Sequence, residues 1–122
     1  MLLTKDHNHG DYEIRSYQVG EIKINDQTYS KSLIVGAHQL ENWTPQCFQQ
    51  LTPQDFEKIL DFKPNIVLVG TGEKLLFPEA KLLRSLYEHQ VGVEIMATHA
   101  ACRTFNVLMS EGRNVVAALL IL

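Results

Sequence analysis

The residues with the clearest chemical potential lie in two short segments: a loop of Gly70, Thr71 and Gly72, and residues 98–102 at the start of a predicted helix. Glycines let backbone N–H groups approach an anion closely, and the N–H groups at a helix N-terminus attract negative charge. Because both segments follow the carboxyl end of a predicted strand, they are expected to open onto the same edge of the sheet. The sequence therefore predicts a small anion-binding pocket between the loop and the first turn of the helix.

Both halves of this predicted pocket also have a purely structural interpretation. The loop lacks the spacing of a dinucleotide GxGxxG motif or of a P-loop, and a pair of glycines is typical of a turn that ends a strand. Thr98 is a favoured N-cap residue, and its hydroxyl could serve only to begin the helix. The residues alone leave both alternatives open.

Cys102 is the only candidate nucleophile near the predicted pocket. A helix N-terminus can lower the pKa of a thiol and so favour the reactive thiolate. However, Cys102 falls on an apolar stripe between Ala101 and Phe105, which is typical of a structural cysteine. His99 could face either way, so the sequence offers no clear general base.

Arg103 and Asn106 share a polar face of the same helix, opposite the apolar stripe. Such a face is normally solvated, although Arg103 would supply positive charge to the pocket if its side chain turned toward it. His7 and His9 are two residues apart, a spacing that without further ligands is more typical of a solvated tail than of a metal site. The chain shows no Ser-His-Asp order or carboxylate pair. We therefore expect no metal and no cofactor, and a function that is not enzymatic.

Composition limits the classes of partner. The chain has 122 residues, of which 45% are hydrophobic, enough for one core. Fourteen acidic and eleven basic residues give a net charge of −3 without any Lys/Arg block, which argues against nucleic-acid binding. No apolar run is long enough to insert into a membrane, and Cys47 and Cys102 are too isolated for a disulfide framework. We expect a cytoplasmic protein with a flexible arm at residues 1–11 and one domain over residues 12–122.

Short strands are predicted in the first half of the chain. Ile22 and Ile24 alternate with charged residues, which indicates a strand with one buried face, and residues 25–27 favour a tight reversal into a second strand that runs to Val35. Residues 36–50 are irregular and contain Trp43. A helix is predicted after Thr52, which would cap it.

The second half alternates strands and helices. Strands are predicted at residues 65–70, 91–96 and 115–122, with helices at residues 79–90 and 99–111 between them, the second ended by Gly112. Such βαβαβ connections give parallel neighbours with right-handed crossovers. The predicted fold is one α/β domain in which an N-terminal antiparallel hairpin precedes a βαβαβ unit.

Several of these features together resemble a family of small uncharacterised domains that includes the mitochondrial respiratory complex I assembly factor three and the adipogenesis-associated Mth-domain protein. The resemblance rests on the hairpin at residues 24–29, Trp43, the Gly70-Thr71-Gly72 loop, the strand at residues 93–96, Thr98, and the run from Ala101-Cys102-Arg103-Thr104-Phe105-Asn106 through Glu111-Gly112-Arg113 to Ala117-Ala118-Leu119. It implies a three-layer α/β fold on a mixed central sheet. One departure is Ala97, where the family usually has Asp.

The resemblance also implies an assembly or interaction factor without an established enzymatic activity. Trp43 is then a candidate for the protein-binding surface, because aromatic residues are enriched at interface centres and its irregular segment is expected at the surface. The alternative is that Trp43 fills one edge of the core. The alternative function is a small-molecule or anion-binding domain, possibly an enzyme, that uses the pocket described above. The hairpin presents an open strand edge, from which we expect a monomer in equilibrium with a weak homodimer.

Overall fold

The computed structural model describes residues 10–122, so His7, His9 and most of the expected N-terminal arm lie outside the described residues. Within this range the chain forms strands, α-helices and short 3-10 helices. In order these are β1 Ile14–Gln18, β2 Glu21–Ile24, β3 Gln27–Tyr29, β4 Leu33–Val35, β5 Leu40–Asn42, a 3-10 turn Phe48–Gln50, α1 Pro53–Glu57 continued by the 3-10 helix Lys58–Phe62, β6 Ile66–Thr71, the 3-10 helix Ala80–Leu83 continued by α2 Arg84–Glu88, β7 Gly92–Met96, α3 Thr98–Ser110 and β8 Val115–Leu120.

The first three strands form an antiparallel sheet, which confirms the predicted hairpin. Ile22 and Ile24 are buried while Glu21 and Lys23 are exposed, as the alternation predicts. The predicted second strand is divided in the structure. Residues 30–32 leave the sheet after β3, and the chain enters the larger sheet as β4.

The larger sheet has the strand order β5-β4-β8-β6-β7. Strands β8, β6 and β7 are parallel, as predicted for a βαβαβ unit, whereas β4 and β5 are antiparallel, so the sheet is mixed. The expectation that residues 36–50 are wholly irregular is wrong, because Leu40–Asn42 pairs with Leu33–Val35. A three-residue strand is too short for its alternation to show in the sequence.

Two apolar clusters cover the two faces of this sheet. Leu68, Ala117 and Leu119 belong to one cluster, which includes α3 residues and the buried isoleucines of β2. Val69 and Ala118 belong to the other, which includes α1 and α2. Because neighbouring residues of a strand point to opposite faces, the sheet is the middle of three layers.

Trp43 belongs to the second cluster, and the expectation that it lies in an exposed segment is wrong. Its side chain is 1% exposed. The indole N–H donates to the carbonyl oxygen of Asp55 at 3.0 Å, and its ring meets the ring of Phe56 edge-on at a centroid distance of 5.8 Å. Trp43 therefore anchors the β5–α1 connection to the core, because a buried Trp is stable where its N–H finds an acceptor.

The helix ends differ in how well they were predicted. The carboxylate of Asp55 accepts hydrogen bonds from the N–H and hydroxyl of Thr52 at 2.8 and 3.0 Å, and α1 begins at Pro53 as expected. Gly112 has a φ of +78° just after α3, as predicted for its C-terminal end. However, Thr98 is the first helical residue of α3 and not its N-cap, which is Ala97.

Candidate functional site

The glycine loop at the end of β6 packs directly against the start of α3. A side-chain carbon added at Gly70 would lie 2.9 Å from the Thr98 hydroxyl oxygen and 2.9 Å from a methyl group of Leu119. Gly72 has a φ of +101°, and a carbon added there would collide with the carbonyl oxygen of Leu122. Both glycines are thus required by close backbone approach.

The hydroxyl of Thr98 explains this approach. Thr98 is fully buried, and its hydroxyl donates to the carbonyl oxygen of Leu120 at 2.5 Å while it accepts the N–H of Gly72 at 2.8 Å. The N–H of Thr98 in turn donates to the carbonyl oxygen of Gly72 at 2.9 Å. One side chain therefore ties β6, α3 and β8 together.

These contacts occupy the space in which we predicted an anion. The N–H groups of Gly72 and Thr98 already have protein acceptors, and the gap at Gly70 cannot hold even a methyl group. The geometry at this loop favours the structural interpretations of the glycines and of Thr98. Anion recognition by this part of the chain would need a different location.

Thr71 fixes the course of the loop that follows. Its hydroxyl donates to the carbonyl oxygen of Lys74 at 2.6 Å and accepts the N–H of Leu76 at 3.1 Å. On this fixed loop Leu75, Leu76 and Phe77 are 49, 37 and 71% exposed. Their apolar types gave no sequence signal that distinguished them from core residues, so sequence reasoning missed this surface.

A small cleft lies on the other side of the first turns of α3, between that helix and β1. Its volume is about 160 Å³. Arg15 and Tyr17 line it from β1, and His99, Cys102 and Arg103 line it from α3. The structure thus brings the candidates Cys102 and Arg103 to one cleft, whereas Gly70, Thr71, Gly72 and Thr98 are not among its lining residues.

The thiol of Cys102 is poorly suited to act as a nucleophile here. Cys102 is 6% exposed, and burial raises the pKa of its thiol to about 12. Burial also raises the pKa of Tyr17, with smaller contributions from Cys102 and Glu73, and the Tyr17 hydroxyl donates to the carbonyl oxygen of Ile121 at 2.8 Å. Because the thiolate is the nucleophilic form, these features favour a structural role for Cys102.

Asn106 also lines the cleft, but its amide group is bonded to the protein itself. Its oxygen accepts the N–H of Ile14 at 3.0 Å, and its nitrogen donates to the carbonyl oxygen of Ile14 at 2.7 Å. The register of β1 against β2 shifts between Ile14 and Ser16, so Asn106 holds the strand at an irregularity. Asn106 therefore positions the strand wall of the cleft.

The charged side chains at the cleft are unequally paired. The Arg15 guanidinium lies 3.5 Å from the carboxylate of Glu13, and both side chains are more than half exposed. Arg103 is exposed and forms no ion pair within residues 10–122. No group of three or more His, Cys, Asp or Glu side chains in the same range is placed to hold a metal ion.

Comparison with known proteins gives matches over nearly the whole described chain. The model of the family described as Protein of unknown function (DUF498/DUF598) matches residues 14–120. The 13 kDa major membrane protein of Francisella tularensis is 30% identical over 117 residues, which cover 94% of this chain and 95% of the relative. The human NADH dehydrogenase [ubiquinone] 1 alpha subcomplex assembly factor 3 is 30% identical over 109 residues, which cover 88% of this chain and 59% of that protein.

Solved structures confirm the fold. A crystal structure of a protein from Bordetella parapertussis matches with a TM-score of 0.86 and 32% identity, covering 92% of this chain and 97% of that one. The solution structure of a Mth938-like domain from Bordetella pertussis matches with a TM-score of 0.83 and 26% identity, covering 99% and 90%. Although one relative is named as a membrane protein, none of the helices between residues 10 and 122 has the length and apolar character to cross a bilayer.

Proposed function

This chain belongs to the DUF498/DUF598 family of proteins of unknown function, and we propose that it is a non-enzymatic factor that binds another protein during the assembly of a larger complex in the cytoplasm. The name of the human relative, an assembly factor for NADH dehydrogenase, supports this proposal. The chain spans 59% of that relative, so the proposal concerns the shared domain.

The observation that carries the proposal is the exposed apolar surface at residues 75–77, which we call the 75–77 loop. Phe77 is 71% exposed, and Leu75 and Leu76 next to it are 49 and 37% exposed. Single exposed apolar residues are common on protein surfaces, but adjacent large ones mark interaction sites. Phe is among the aromatic residues that are enriched at the buried cores of interfaces.

The loop is also held in place before any partner binds. Two of the hydrogen bonds of the Thr71 hydroxyl, those to Lys74 and Leu76, fix the backbone that presents the apolar side chains. A loop that is already ordered loses less conformational entropy on binding than a disordered one. Charged residues flank the loop on both sides, as in the polar rim of an interface. These residues are Glu73, Lys74, Glu79 and Lys81.

The test compares two serine substitutions at exposed apolar positions. Phe77→Ser removes the centre of the 75–77 loop, whereas Val107→Ser changes a residue of α3 that is 54% exposed. The tagged wild-type chain is purified from its own organism under native conditions, and the proteins that co-purify with it are identified. Each of these proteins is then produced separately, and the Kd of its complex with the wild-type chain and with each of the two variants is measured. We expect Phe77→Ser to weaken binding about tenfold or more, as for a residue at an interface centre, and Val107→Ser to leave it within about twofold.

Two results would overturn the proposal. One is the recovery of no protein that binds again in purified form. The other is equal binding by the wild-type chain and the Phe77→Ser variant. Thermal unfolding of both variants checks that a loss of binding is not a loss of folding.

A further inference from the structure

We propose that the cleft between β1 and α3 binds a small oxyanion, a phosphate or carboxylate group, held between the guanidinium groups of Arg15 and Arg103. This site is independent of the 75–77 loop and would act beside the protein-binding function. It also lies apart from the Gly70-Thr71-Gly72 loop, whose hydrogen-bonding groups are occupied. Four properties of the cleft support the proposal: its size, its charge, its floor and its rigidity.

The size of the cleft selects a small ligand. Its volume is about 160 Å³. Pockets for drug-sized ligands or cofactors begin at about 300 Å³. A single phosphate or a short carboxylic acid fits, whereas a nucleotide could place only one phosphate group inside.

The charge at the walls favours an anion. Arg15 lines the cleft from the strand and Arg103 lines it from the helix, so a ligand in the cleft would lie between two positively charged side chains. Arginine binds carboxylate and phosphate through paired N–H donors. Arg103 forms no ion pair in the described part of the chain, and the exposed pair of Arg15 with Glu13 is weak enough for a ligand to replace.

The nearby acidic groups set the limits of this site. Glu13 pairs with Arg15, and Glu73 acts electrostatically on Tyr17. The side of the cleft at Arg103 is therefore its most electropositive part. We expect the ligand to lie nearer to Arg103 than to Tyr17.

The floor of the cleft is neutral. Cys102 is 6% exposed, yet it lines the cleft, and its thiol has no hydrogen-bond partner among residues 10–122. Because burial keeps this thiol protonated, it can offer a weak S–H donor to an anion and adds no negative charge. The hydroxyl of Ser16 at the edge of the cleft adds a further donor.

The backbone of β1, which forms one wall of the cleft, is held rigidly next to Arg15. The register shift between Ile14 and Ser16 places Arg15 at an irregularity of β1. Asn106 fixes Ile14, the residue before Arg15, through two hydrogen bonds. Irregularities of this kind often redirect a side chain next to a binding site.

The test titrates inorganic phosphate and, separately, acetate into isotope-labelled protein at low ionic strength and follows the backbone amide signals. We expect saturable shifts at residues 14–17 and 99–106, with a Kd near about 1 mM, the weak end of specific binding. Arg103→Gln should weaken binding at least about fivefold, because it replaces a guanidinium that has no ion pair within residues 10–122 by a shorter, neutral amide. Arg113→Gln, which alters an exposed arginine outside the cleft, is the matched control and should leave the Kd within about twofold.

The outcomes separate the possible sources of the anion. Tighter binding of phosphate identifies a phosphorylated ligand, and tighter binding of acetate identifies a carboxylic acid. Shifts that fail to saturate with either anion, or that are equal in wild type and Arg103→Gln, would overturn the proposal. Neither result bears on the 75–77 loop, because none of its residues lines this cleft.

Discussion

Asn106 of α3 forms a closed pair of hydrogen bonds with the backbone of Ile14 in β1, although 92 positions separate the two residues. Its side-chain amide accepts the N–H of Ile14 and donates to its carbonyl oxygen, as a neighbouring strand would do. Because β1 is an edge strand of the small sheet, Asn106 covers a part of that edge that would otherwise be open. It also joins the small sheet to the helix that packs on the large one.

The first prediction concerns this pair. Asn106→Ala should leave both backbone groups of Ile14 without their partner and lower the free energy of unfolding by about 1–3 kcal/mol. Ser110→Ala, which removes an exposed hydroxyl bond to Val107 on the same helix, should change it by less than about 0.5 kcal/mol. Urea unfolding measures both values. Equal effects of the two substitutions would show that the Asn106 bonds contribute nothing specific.

The second prediction concerns the hydroxyl of Thr98. Thr98→Val preserves the shape of the side chain but leaves the N–H of Gly72 and the carbonyl of Leu120 buried without a partner, at a cost of about 1–3 kcal/mol for each group. Thr98→Ser retains the hydroxyl and loses one methyl, which should cost only about 1 kcal/mol. Chemical unfolding distinguishes them. If Ser proves as damaging as Val, packing and not hydrogen bonding holds the loop.

The third prediction compares two glycines with similar backbone angles. Gly20 and Gly72 have φ values of +87° and +101°, but a side chain at Gly20 would meet open space whereas one at Gly72 would meet Leu122. Gly20→Ala should therefore lower the unfolding free energy only by the backbone strain, about 1–2 kcal/mol. Gly72→Ala should lower the unfolding free energy by the same strain and by about 1–3 kcal/mol more, because the added methyl group is overpacked against Leu122. Thermal unfolding of both variants checks the order, and equal losses would show that Leu122 moves aside without cost.

The fourth prediction concerns alkaline pH. The thiol of Cys102 keeps its proton in the folded state up to about pH 12, whereas an exposed thiol in the unfolded chain loses it near pH 9.0. Stability from this group is therefore fully present below pH 9 and falls as the pH rises toward 12, at most by about 1.4 kcal/mol per pH unit. Tyr17 acts in the same direction, because its pKa is also raised. In Cys102→Ala, urea unfolding at about pH 10–11 should show a shallower decline than in wild type, and parallel declines would contradict the assignment.

The fifth prediction concerns Ala97, the N-cap residue of α3, which has no side chain able to bond the first turn. Ala97→Asp and Ala97→Asn should each place an acceptor near the N–H groups of His99 and Ala100 and stabilise the protein by about 0.5–2 kcal/mol. Asp should gain slightly more from the helix dipole. A rise in Tm for both substitutions indicates that an Asp at this position serves helix capping. If neither substitution raises the Tm, the interpretation of Asp at this position as a helix cap is contradicted.

The sequence predicted those elements whose periodicity extends over enough residues. β6 and β8 have six residues each, all apolar in β8 and all except Thr71 in β6, and α3 carries an apolar stripe from Ala101 to Met109, so the types of these elements followed directly. Strands β3 to β5 have three residues each, which is too few for an alternating pattern to be distinguished from irregular chain. Their pairing depends on partners distant in sequence.

The candidate site was predicted only in part, for a related reason. Cys102 and Arg103 are neighbours on one helix, so local spacing indicated their proximity, but nothing local indicated that Arg15 would form the opposite wall. Nor could spacing show that the Thr98 hydroxyl bonds to Leu120 and Gly72 in preference to its own helix. Trp43 and Phe77 were indistinguishable as apolar aromatic residues, yet one is buried and the other exposed.

The middle strand of the large sheet is β8, which comes after the other four strands of that sheet in sequence. β8 lies between β4 and β6, and all six of its residues are buried. While the polypeptide leaves the ribosome, β4 and β6 therefore have no common neighbour until residues 115–120 have been made. Folding of this sheet in the cell must follow synthesis of its last strand, and a chain stopped before Val115 would present two open apolar strand edges to chaperones and proteases.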